Sequence, residues 1–225
     1  MISLLVSGEG KTDMGELNYA DPSRFNKGPM TCLAEMIIKR CTDETLDMEL
    51  IHKSQLSQKA KGHIKLPGKK SDKTTGYFYK NAYLLGQIAL EKGCDVAILF
   101  RDADGTHSTM PSNWRILVKS ILDGFEDSGF QNGVAMVPKP TGEAWILCYL
   151  QHYQHCKQLE DLPGNQVSSN HPKKIIQQKI GRAPTKETLM EITYLCDTEQ
   201  INMPSFVSFK NRLEKVIPNR PNRNP

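Results

Sequence analysis

Four short apolar runs, each followed by a stretch of helical spacing, constrain this chain more than any other feature. Residues 2–6, 46–51, 95–100 and 133–137 are too short for buried helices and are bounded by turn residues, so they read as strands. Leu33, Met36, Ile37 and Cys41, then Ala82, Leu85, Ile88 and Ala89, recur at helical intervals after the first and second runs. Residues 114–125 are amphipathic, and a further helix is expected from Glu143 to about His155. Strand and helix therefore alternate four times. That order predicts an α/β fold: a mainly parallel, Rossmann-like four-stranded sheet flanked by helices.

With 225 residues the chain is long enough for a substantial core, and 38% hydrophobic against 24% charged residues fits an ordered, soluble protein. No apolar run approaches the roughly 18 residues of a membrane span, so no membrane association is expected. The N-terminus lacks the basic region of a signal peptide. Six scattered cysteines without framework spacing read as reduced thiols of a cytoplasmic protein. The expected organisation is an α/β unit over residues 1–156, a small helical extension over 157–217 and a disordered tail over 218–225. Helices in the extension are expected at 172–180, 185–196 and 204–217, and the polar stretch before Met30 looks too punctuated for regular structure.

Charge is more telling by region. Between Lys53 and Lys80 lie eight lysines and one acid, a segment read as a lysine-rich insertion loop. Lys59, Lys61, Lys65, Lys69, Lys70 and Lys73 of that loop are candidate contacts to a polyanion, with Arg101 and Lys139 elsewhere. The bland alternative is a solvated loop.

In open parallel sheets ligands sit beyond the carboxyl ends of the strands. Three acid-bearing turns fall there: Glu9, then Asp102 and Asp104, then Glu143. Asp102 and Asp104 leave an extended backbone on the same side, and two close carboxylates repel unless a cation lies between them. Oxygen ligands of this kind favour magnesium or manganese. Gly10-Lys11-Thr12 is not the end of a phosphate-binding loop, since Leu5 stands where its first glycine is needed.

The first strand ending in Val6-Ser7-Gly8-Glu9-Gly10-Lys11-Thr12-Asp13, followed by a later strand ending in Phe100-Arg101-Asp102-Ala103-Asp104-Gly105, resembles the TOPRIM domain of topoisomerases, primases and OLD-type nucleases. With the Pro-x-x-Gly-Glu143-Ala-Trp145 segment it is similar to small stand-alone members, including RloB-like proteins linked to bacterial defence. The resemblance spans about residues 1–150. It implies magnesium- or manganese-dependent phosphodiester hydrolysis on DNA or RNA. Glu9 would be a metal ligand or the general acid/base, Asp102 and Asp104 the metal pair, and Asp13 and Glu143 the completion of a second metal site. Lys11 and Arg101 would steady the developing charge.

Other readings stand beside these. Glu143 is equally a helix-start acid favoured by the dipole, Trp145 reads as core, and His107 as a bystander. Cys148, His152, His155 and Cys156 crowd too closely on one helix to close a zinc tetrahedron without distortion. The alternative to a nuclease is a non-enzymatic partner subunit of a defence or ATPase complex, with homo-oligomerisation open to either. A weaker third reading is a phosphatase using Asp102 as nucleophile.

Overall fold

Each of the four apolar runs forms a strand in the computed structural model, which describes residues 1–18, 25–62, 73–103 and 111–218. Strands β1 (Ile2–Gly8), β4 (Leu46–His52), β5 (Val96–Phe100) and β6 (Gly133–Met136) make one sheet in the order β4-β1-β5-β6, and every pairing is parallel. The expected α/β class with a parallel four-stranded sheet is what the chain adopts. The inner strands β1 and β5 are buried at nearly every position because helices cover both of their faces. Edge strand β4 alternates half-buried and open positions over its first half instead.

Side-chain alternation divides the interior into two cores. Leu4 and Val6 of β1 and Val96, Ile98 and Phe100 of β5 face one side. There they meet helices α1 (Pro29–Cys41) and α5 (Gly142–Leu150) and the C-terminal helices α6 (Pro172–Ile180), α7 (Lys186–Tyr194) and α8 (Pro204–Val216). Leu5, Ala97, Leu99 and Ala135 face the other side, against α3 (Lys73–Lys92) and α4 (Pro111–Asp127). The C-terminal helices lie close to their expected positions, and their apolar residues share one core with the sheet. Trp145 stacks on Phe209 at 5.6 Å and meets Phe206 edge-on at 5.1 Å, and its Nε1 donates to Ser205 Oγ at 2.9 Å.

Four expectations need correction. The stretch before α1 does contain regular structure: β2 (Gly15–Leu17) and β3 (Phe25–Lys27) form an antiparallel ribbon. Three-residue strands carry no readable period. Gly15 permits this one, with φ +113° and a built Cβ only 2.2 Å from the Asn26 carbonyl oxygen. Second, the lysine-rich segment begins as helix α2 (Lys53–Gly62), not a loop, and α3 starts at Lys73. Lysine and glutamine are good helix formers, and one buried anchor, Leu56, holds α2 to the α3-side core. Third, α5 stops at Leu150, short of His155, because His152, Tyr153 and His155 take left-handed backbone at φ 52°, 60° and 55°. The chain then enters a 3-10 turn over Cys156–Asp161.

The fourth concerns the cysteines. Cys148 and Cys156 form a disulfide with their Cα atoms 5.1 Å apart, while Cys32, Cys41, Cys94 and Cys196 are free. Two of the six thiols are therefore not reduced, a zinc site has lost both its sulfurs, and cysteine usage no longer argues for a reducing compartment. Among the described residues no helix is long and apolar enough to cross a membrane. The tail from residue 219 onward lies outside the described residues.

One ion-pair group ties the ribbon to α1. Burial raises the Glu35 carboxyl pKa, but Lys27 and Lys39, each 2.8 Å away, more than offset it and hold the group below its ordinary value. A depressed carboxyl stabilises the fold above its unfolded pKa, and the contribution is lost as pH falls through the folded value. Glu35→Gln is therefore expected to lower stability at neutral pH by roughly 1 kcal/mol and to flatten the acid limb of a denaturation-versus-pH profile. An unchanged profile would remove this pair from the account.

Candidate active site

The carboxyl edge between β1 and β5 is a topological switch point. These neighbouring strands are followed by helices on opposite faces, α1 in one core and α4 in the other, so the connections diverge and leave a crevice. Register aligns Gly8 with Phe100, which brings the turns carrying Glu9 and Asp102 side by side. The approach is close enough to require glycine. A Cβ on Gly8 would lie 2.7 Å from Phe100 Cβ and 2.9 Å from its carbonyl oxygen. Gly8→Ala is expected to cost about 1–3 kcal/mol by pushing the strands apart, read from the midpoint of urea unfolding.

Alternation then sends the acids to different sides. Arg101 follows the parity of Leu99, toward α3, and its Nη1 pairs with Glu9 Oε2. Lys53, the first residue of α2, pairs with Glu9 Oε1. Asp102 has the opposite parity and meets the start of α5, where its Oδ1 accepts the Gly142 N–H at 2.9 Å. Thr141 is the N-cap residue of α5 but makes no side-chain cap bond, so Asp102 supplies that acceptor from another strand. The extension of β5 is held to β6 by Arg101 N–H to Met136 O at 2.9 Å and Ala103 N–H to Pro138 O at 3.1 Å.

The remaining candidates are dispersed around this edge. Asp13 folds back over its own loop: its N–H bonds to Gly10 O at 3.2 Å, and its Oδ2 accepts from Thr12 Oγ1 at 3.3 Å. Gly10 makes room for it at φ +82°, where a Cβ would come 2.1 Å from that carboxylate. Lys11 is exposed on the same loop. Glu143 is buried in the first turn of α5. Lys139 is also buried, with Nζ 3.8 Å from Asp161 Oδ1. Asp104, His107, Lys65, Lys69 and Lys70 lie outside the described residues, as do the side chains of Lys59, Lys61 and Lys73.

Carboxylate oxygens are the right donors for magnesium or manganese. A carboxylate has about four lone-pair sites, so accepting the Gly142 N–H does not by itself fill that of Asp102. Glu9, by contrast, is matched by two cations. Among the described residues no three His, Cys, Asp or Glu side chains come together as a metal group.

Sequence reading did not single out three residues of this edge. Lys53 was only one of many lysines, although it directly follows the carboxyl end of β4. Tyr77 and Asn81 of α3 line the same crevice as Glu9, Lys53 and Arg101. Nothing in their spacing marks them, because α3 is aimed at the edge by tertiary packing. No protein-family model, characterised protein or solved structure matches this chain, so the assignment rests on its own residues.

Proposed function

We propose that the protein is a magnesium- or manganese-dependent phosphodiesterase that hydrolyses nucleic acid at the edge between β1 and β5. One observation carries this reading: the Gly8–Phe100 register, which sets the Glu9 turn beside the Arg101-Asp102 turn at the switch point. Asp102 would hold the ion together with Glu9 and Asp104, and Asp13 and Glu143 would complete a second metal site. When bound, such an ion lowers the pKa of an attacking water and neutralises phosphate charge. The Gly142 N–H fixes the Asp102 carboxylate. Arg101 and Lys53, now on Glu9, are the cations that would meet the substrate's phosphate.

A second reading is favoured by the same ion pairs. If Glu9 stays neutralised by Lys53 and Arg101, the edge is a structural contact and the protein a non-catalytic subunit of a larger complex. Incubation with single- and double-stranded DNA and RNA separates the two. The nuclease reading expects cleavage of at least one substrate with magnesium or manganese and none in chelator. Absence of cleavage with either metal, or cleavage surviving in both Asp102→Ala and Glu9→Ala, would overturn it.

A further inference from the structure

The crevice beside Glu9 has an unusual mixture of walls. Lys53 Nζ lies 5.5 Å from the centre of the Tyr77 ring, and Arg101 Cζ 5.0 Å from that of Phe78. The two rings meet edge-on at 5.5 Å. Tyr77 is 37% exposed, one of the large apolar side chains left open to solvent. Beside them Asn81 is only 7% exposed and lines the crevice. Its carboxamide offers the crevice both a donor and an acceptor. The empty space is about 270 Å³ counting the part open to solvent, and the deep end has room for about one water. A flat ring would therefore lie across the mouth, with a single polar atom or an ordered water reaching Asn81.

We propose that this crevice binds one unstacked nucleotide of a single-stranded nucleic acid, its base against Tyr77 and its phosphate on Lys53 and Arg101. The inference rests on the nuclease reading for its substrate class, and it narrows that class to single strands. Lys53, Arg101 and Glu9 leave the crevice with net charge +1, suited to one phosphate. The exposed ring supplies a face on which any base can stack. A duplex keeps its bases stacked on each other and cannot offer one to Tyr77 without unpairing. The Asn81 amide has a donor and an acceptor side by side, the complement of a base edge.

The test is binding of a short fluorescent oligonucleotide to the full chain in chelator, where no hydrolysis occurs. The single strand is expected to bind at least about tenfold tighter than the duplex of the same sequence. Simple phosphate attraction would give the opposite order, since the duplex has the higher charge density. Tyr77→Ala should weaken single-strand binding about tenfold and Tyr77→Trp should retain it, in line with stacking. Asn81→Ala should weaken it severalfold with an unshifted melting temperature. Equal or tighter duplex binding, or single-strand binding indifferent to Tyr77→Ala, would overturn the proposal. Metal-dependent cleavage is scored separately. Cleavage with Tyr77-independent binding removes the crevice and keeps the nuclease, whereas Tyr77-dependent single-strand binding without cleavage does the reverse.

Discussion

Asp102→Ala is expected to reduce metal-dependent cleavage by roughly a hundred- to a thousandfold, the scale of losing one preorganised group that stabilises developing charge. The same substitution also removes the acceptor of the Gly142 N–H at the start of α5, and losing a helix cap costs about 1 kcal/mol. Asp102→Asn separates the two roles. Asparagine keeps a carbonyl oxygen for Gly142 but carries no charge for a cation, so this variant should melt close to wild type and be nearly as inactive as alanine. Steady-state cleavage rates and thermal melts of both variants give the comparison. An active Asp102→Asn enzyme would reduce Asp102 to a capping residue.

The second large effect is on stability. Trp145→Ala should cost about 3–5 kcal/mol, against a total of 5–15 kcal/mol for a typical domain. Trp145 is fully buried, and its ring is where the helix following β6 meets α8. Truncation leaves a cavity between Phe206 and Phe209 and strands the Ser205 hydroxyl. Trp145→Phe should cost less, since it retains a ring between the two phenylalanines while losing the hydrogen bond. Urea unfolding measures both. A loss below about 1 kcal/mol for alanine would mean that α8 is not part of the sheet's core.

How much of this was readable from the residues follows from which signals are local. The strands were legible because four apolar runs with turn residues at their ends have few other folded solutions. The C-terminal helices start at or within a residue of their expected positions, with Pro172 and Pro204 in the first turns of α6 and α8 and Thr185 capping α7. The ribbon at Gly15 and the helix at Lys53 were not legible, since one is too short for a period and the other shows only Leu56 as a buried apolar anchor among the described residues. The end of α5 lies at the left-handed backbone of His152, Tyr153 and His155, which helical spacing of apolar residues does not reveal.

The site divides along the same line. The edge where Glu9 and Asp102 would meet follows from strand ends alone, and the β1–β5 pairing brings their turns together. The face each acid points to depends on parity at the strand end and on which helix covers it. That is why Glu9 lies with Lys53 and Arg101 while Asp102 lies with Gly142. Tyr77 and Asn81 enter only through the placement of α3.

The most direct measurement is an anomalous difference map from crystals grown with manganese. The account predicts a manganese ion about 2.1 Å from an Asp102 carboxylate oxygen, with Glu9 turned away from at least one of its two cations. Manganese absent from Asp102 at concentrations that support cleavage, with Glu9 still held by Lys53 and Arg101, would contradict it.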